Sequence, residues 1–180
     1  MFILYAVPIG LLLGLLLGGR PAGLATLRFR YGWVMLVGLV VQVILFSPAV
    51  THVVGDAGPP IYVISTGAVI AAVLLNLRIT GMAIVAMGAI SNLTAIVLNG
   101  GYMPADPRAM AALGKLEPTV YSNSAVVPDP VVRPLTDIFA LPTWMPFANV
   151  FSVGDVLIAA GVVVVIVAAM RRPVPEFAAS

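Results

Sequence analysis

The chain has 180 residues, of which 61% are hydrophobic and only 9% charged, and its mean hydropathy is +1.11. A water-soluble surface needs about 25% charged residues, so this composition excludes an ordinary soluble domain. The net charge of +2 is no nucleic-acid signal, since six of the nine basic residues are better explained as determinants of membrane topology, and the absence of cysteine excludes disulfides, thiolate metal sites and cysteine nucleophiles.

Long apolar runs, without the alternation of a barrel strand, point to an all-α integral membrane protein. The first run covers about residues 2–18. Its positive charges (Arg20, Arg28, Arg30) follow it, whereas a secretory signal carries them in front. It is therefore expected to stay as a helix, with Pro8 near its start. Gly10, Gly14 and Gly18 recur on one face and predict close packing of another helix.

A basic loop leads to the second run, about 31–49, where Tyr31 and Trp33 suit a membrane interface and Gln42 is an isolated polar group. The loop after it carries His52 and Asp56 and ends in Gly58-Pro59-Pro60, read as a helix stop. The third and fourth runs, about 61–76 and 80–98, meet at Asn76 and Arg78. Together they are far too long for one crossing, so they predict a tight helical hairpin. Gly67 with Ala71, and Gly81 with Gly88, offer small faces for packing.

Residues 100–151 contain eight prolines and read as a long loop. Asp106, Pro107 and Gly114 mark the cap, first residue and stop of one short helix. Residues 135–141 are a second short helical candidate. Tyr102, Tyr121, Phe139, Trp144, Phe147 and Phe151 make this loop too aromatic to hang free. It is expected to fold back over the helix ends, with the 144–147 segment along the membrane surface. The fifth run, about 152–170, opens on Ser152-Val153-Gly154-Asp155, a capping-box start. The tail from Pro173 reads as disordered.

Arginines alternate along the chain. The loops after the first and third runs and the segment after the fifth are basic, and the loop after the second is not. Because Lys and Arg collect on the cytoplasmic side, this predicts five transmembrane helices. The N-terminus lies outside and the C-terminus inside, with a structured outer loop between helices 4 and 5. The whole chain, 1–180, reads as one membrane domain.

Ser91, Asn92, Thr94, Asn99 and Tyr102 form the best candidate polar patch, either interhelical glue or the lining of a ligand site. An amide in hydrocarbon needs a partner, so Asn92 must point into protein. No membrane-centre charge, phosphate loop, zinc motif or serine nucleophile motif is present. Asp137, set among apolar residues, is a weak catalytic candidate, and His52 a weak axial ligand. No catalytic residue, metal site or cofactor is therefore assigned, and the protein is not expected to be an enzyme.

The segments Ser91-Asn92, Asn99-Gly100-Gly101-Tyr102-Met103-Pro104 and Phe151-Ser152-Val153-Gly154-Asp155 resemble a bacterial family of small polytopic membrane proteins described only as a domain of unknown function. The resemblance implies a bacterial inner-membrane protein and transfers no catalytic residue. The expected role is a non-enzymatic subunit or scaffold. Its expected partners are the lipid bilayer and other membrane protein subunits, with no nucleic acid. The alternative is a carrier or binding protein for a small neutral or lipid-like ligand at the outer face.

Overall fold

The structure is a computed structural model that describes residues 2–114, 124–127 and 129–173. Glu117, Tyr121 and nearly all of the expected disordered tail lie outside the described residues.

The chain is mostly helical. A 3-10 turn, Phe2–Tyr5, leads into α1 (Ala6–Leu16), with Pro8 in the first turn, where no helical N–H bond is lost. Gly18, at φ +76°, ends the helix. A second 3-10 run, Pro21–Thr26, precedes α2 (Gly32–Leu45). The second apolar run then divides: Ser47 is extended and Pro48 opens a separate turn of helix, α3 (Pro48–Thr51). Next comes α4 (Gly58–Leu74). Here Gly58-Pro59-Pro60 starts a helix instead of stopping one, because prolines in a first turn forgo only N–H groups that lack helical partners. A turn closed by Gly81, at φ +97°, joins α4 to α5 (Met82–Leu98).

Beyond α5 the chain builds a cap. Strand β1 (Met103–Pro104) pairs in parallel with β2 (Ser124–Ala125). Between them lies α6 (Pro107–Ala112), whose first turn is capped by the Asp106 carboxylate accepting from Arg108 N–H, as its sequence signals predict. The expected helix at 135–141 does not form. Arg133–Leu135 is a 3-10 turn, and Phe139–Ala140 is strand β3, antiparallel to β4 (Val150–Phe151). Asp137 N–H donates to Pro104 O at 2.9 Å, and Leu141 N–H to Asn149 O at 3.0 Å. A seven-residue helix is marginal alone, and these long-range partners satisfy the backbone instead. The final helix is α7 (Val153–Met170). Its capping box is complete: Ser152 Oγ accepts from Asp155 N–H, and Asp155 Oδ2 accepts from Ser152 N–H.

The long helices pack side by side in the order α2, α4, α5, α7, α1. Their contacts give their directions. Gln42 donates to Thr66 Oγ1, and Phe46 meets Tyr62 edge-on at 4.9 Å, so α2 and α4 are antiparallel. Gly88 lies against Gly154 and Gly81 against Gly161, so α5 and α7 are antiparallel. Gly10 meets Ile166 and Gly14 meets Met170, so α1 and α7 are parallel. Successive long helices thus alternate in direction along the chain. One end of the row carries Arg20, Arg28, Arg30, Arg78, Arg171 and Arg172, all exposed; the other carries the cap.

Two apolar clusters hold these ends. Val73, Met82, Val85, Ala86 and Val165 pack toward the arginine end. Ala95, Ile96 and Met103 pack under the cap with Tyr62, Val132 and Leu135. The outward faces of the helices are apolar as well: Leu16 is 72%, Val43 71% and Ile64 71% exposed. Two helical stretches, Gly55–Leu74 (20 residues) and Val153–Met170 (18 residues), are long and apolar enough to cross a membrane. Phe2–Leu16, Gly32–Leu45 and Met82–Leu98 are shorter apolar helices.

Candidate functional site at the capped ends of α5 and α7

Glycines decide how closely α5 and α7 approach. A Cβ on Gly154 would lie 2.8 Å from Gly88 O, and one on Gly81 would lie 2.7 Å from Gly161 O. Neither distance is tolerated, so the two backbones touch only because four glycines, paired seven residues apart on each helix, face one another. This contact brings Asn92 of α5 against the start of α7.

There Asn92, Ser152 and Asp155 form a closed ring. Asn92 Nδ2 donates to Asp155 Oδ1 at 2.8 Å, and Ser152 Oγ donates to Asn92 Oδ1 at 2.8 Å. The capping-box bonds between Ser152 and Asp155 complete it. Ser152 is fully buried, and Asn92 and Asp155 are half-buried. Both amide atoms of Asn92 and both carboxylate oxygens of Asp155 are engaged. The Ser152 hydroxyl also both donates and accepts. The ring therefore locks two helices and the cap strand β4 together and presents neither a free base nor a free nucleophile.

The other predicted patch residues do not converge on Asn92. Asn99 ends α5 and turns to the cap. Its Nδ2 donates to Val131 O at 3.0 Å, and its Oδ1 accepts from Val131 N–H at 2.8 Å. A further bond from Nδ2 to Ala95 O holds the amide in place. Thr94 Oγ1 donates to Ile90 O in its own helix. Ser91 Oγ is buried without a hydrogen-bond partner among the described residues, and Tyr102, just before β1, is half-buried. Among the packing glycines, Gly10 and Gly14 lie against Ile166 and Met170 of α7. Gly18 does not: its Cβ position is open, and it serves to end α1. Gly67 likewise faces nothing within 4 Å, so the α4 pair with Ala71 is not a packing face.

Two features were less legible from the sequence. Asp155 reads there as a helix start only, yet it is also the partner of Asn92. Asn76, read as a hairpin residue, is 4% exposed and grips a distant segment. Its Oδ1 accepts from Arg30 N–H and its Nδ2 donates to Arg30 O, both at 2.8 Å, with a further bond to Ala72 O. The signal for Asp155 was the matched seven-residue glycine spacing on the two helices. For Asn76 there was none beyond its place at the end of an apolar run.

The cap carries an open cleft of about 540 Å³ lined by Asp106, Arg108, Asp129, Arg133 and Thr136 among others. Arg133 pairs with Asp106 at 2.8 Å across it, and this contact, with the Arg108 N–H, holds the Asp106 carboxyl below its ordinary range. Asp137 is 4% exposed and lies in the cap's strand junction, where its backbone bridges Ala105. His52 is exposed at the end of α3. Among the described residues, no three of His, Asp and Glu come together as metal ligands.

Residues 26–167 match the sequence model of a family described as "Family of unknown function (DUF5317)". No curated protein and no solved structure matches the chain.

Proposed function

The chain belongs to this family of unknown function, and since kinship brings no activity with it, we propose from its own residues that it is a polytopic membrane scaffold. In this reading five helices (α1, α2, α4, α5 and α7) cross the bacterial inner membrane, with the N-terminus outside, the C-terminus inside and the cap outside. The observation that carries it is the alternation of helix direction together with the segregation of six exposed arginines to one end. The positive-inside bias places that end in the cytoplasm. The helices between are apolar on the faces they turn outward. α1 and α2 are short for a span of about 30 Å of hydrocarbon, and local thinning of the bilayer or adjacent apolar residues accommodate such mismatch at modest cost.

A non-enzymatic role fits the polar groups in the helices, which are spent on structure. The Asn92, Ser152 and Asp155 ring is closed, and Asn76 and Asn99 hold loops. As a scaffold, the protein packs against a larger membrane partner. The open edge of the row at α2 supports this, with Trp33, Leu36 and Val43 exposed. A photo-crosslinking residue at Val43 should yield a protein adduct in native membranes. Lipid adducts alone would contradict the subunit role.

The second reading, a carrier at the outer face, is supported by the cleft in the cap. Its charged walls suit a polar solute better than a lipid-like one. Thermal shift with polar and lipid ligands, compared between wild type and Arg133→Gln, distinguishes the two readings.

A further inference from the structure

We infer that the arginine end is a binding surface for the phosphate groups of anionic phospholipids. The inference rests on the membrane-crossing reading above and deepens it by naming the lipid class.

Three observations carry it. First, the described acids are all kept from this end, while six of the eight arginines gather there. Arg20, Arg28, Arg30, Arg78, Arg171 and Arg172 are exposed at this end, whereas the described acids, Asp56, Asp106, Asp129, Asp137 and Asp155, lie at the other. The one ion pair among the described residues is in the cap, so none of the six is neutralised by a described carboxylate. The Arg30 guanidinium lies over the face of Tyr31, 5.4 Å from the ring centre.

Second, the surface is rigidly built. α1 and α2 occupy opposite edges of the helix row, so the segment joining them runs across the whole end as a strap. Arg20 N–H donates to Met170 O at 2.7 Å. Gly23 then lies against Ala169 and Met170 so closely that no side chain would fit. Leu27 packs on the buried Val73, Met82 and Val85 cluster. Finally, the Asn76 amide grips both backbone groups of Arg30. Setting orientation in the membrane requires positive charge alone, in any flexible loop. A strap pinned at both ends and in the middle fixes where three of those charges stand.

Third, all six cations are arginines. The guanidinium fork matches two phosphate oxygens at once, whereas lysine acts as a point charge. Basic groups close to an anionic leaflet are attracted to it, and a cluster of them marks lipid recognition.

The test uses the full chain inserted in nanodiscs, with its thermal unfolding followed in phosphatidylcholine alone and in phosphatidylcholine with phosphatidylglycerol. The wild-type Tm should rise with the anionic lipid. The triple variant Arg28→Gln, Arg78→Gln, Arg171→Gln should lose at least half of that rise. It keeps Arg20, Arg30 and Arg172 to hold its orientation, and all three replaced side chains are exposed. The corresponding Lys triple should recover only part of the rise, and Arg108→Gln in the cap should keep all of it. An equal rise in the Gln triple, or full recovery with Lys, would overturn the site. So would a rise reproduced by inorganic phosphate in discs of neutral lipid. A chain that fails to insert at all would instead remove the reading of membrane crossings on which the inference rests.

Discussion

Asn76 and Asn99 use one device at opposite ends of the molecule. Each sits where a helix finishes, bonds back to the carbonyl four residues earlier, and offers its amide as a strand-like partner to a distant backbone N–H and C=O. A helix end leaves carbonyls without partners, and the amide satisfies one of them while holding a loop. Asn92 is different, because it joins helix to helix. Replacing Asn92 by Ala leaves Asp155 Oδ1 without its donor, and this should cost about 1–3 kcal/mol, as for other buried groups left unsatisfied. Asn92→Asp should cost more, since it puts a second carboxylate against Asp155. Denaturant unfolding in detergent would check the order; equal stability of wild type and both variants would refute the ring. Asp106 gives a pH prediction. Its carboxyl is held below the usual 3.8 by Arg133 and the Arg108 N–H. Its contribution to the cap is therefore fully present above that value and is lost as pH falls through the lower folded value. Hydrogen-exchange protection of 107–112 should drop in that acid range, and the drop should be smaller in Asp106→Asn.

At the scale of elements, the close contact of α5 with α7 depends on what is missing from four positions. A methyl on Gly88 would come within 2.8 Å of Ile158 N, a backbone atom that cannot swing aside. Gly88→Ala and Gly154→Ala should each destabilise by about 1–3 kcal/mol, the usual cost of overpacking. Gly67→Ala meets nothing and should be neutral or stabilise by up to about 1 kcal/mol, since alanine favours helix. The long helices were legible in the sequence because apolar runs, proline and glycine mark them directly, and the Ser152 and Asp106 caps carry local signals. The cap strands were not. Residues 135–141 contain enough helix-compatible side chains to suggest a helix, but Phe139 stacks on Phe151 at 5.4 Å across the β3–β4 pair. That partner is remote in sequence, and local propensity cannot see it. The same limit explains why Asn92 and Asn99, seven residues apart, serve different partners: a shared helix face says nothing about where the helix stops being covered by α7 and starts being covered by the cap.

At the scale of the whole molecule, apolar helix faces are separated from polar ends, and the described acids are kept away from the end that carries six of the eight arginines. Helices alternating in direction bring the segments after α1, α4 and α7, with their six arginines, to one end, and the strap and cap close the two ends by different means. The central claim is that these ends face opposite sides of a membrane. The chain has no native cysteine, so single cysteines report their own position without background. Ala25 in the strap and Val126 in the cap are both exposed. With a membrane-impermeant thiol reagent on intact cells, Val126→Cys should label at once and Ala25→Cys only after the membrane is permeabilised. Labelling of both from the same side would contradict the account.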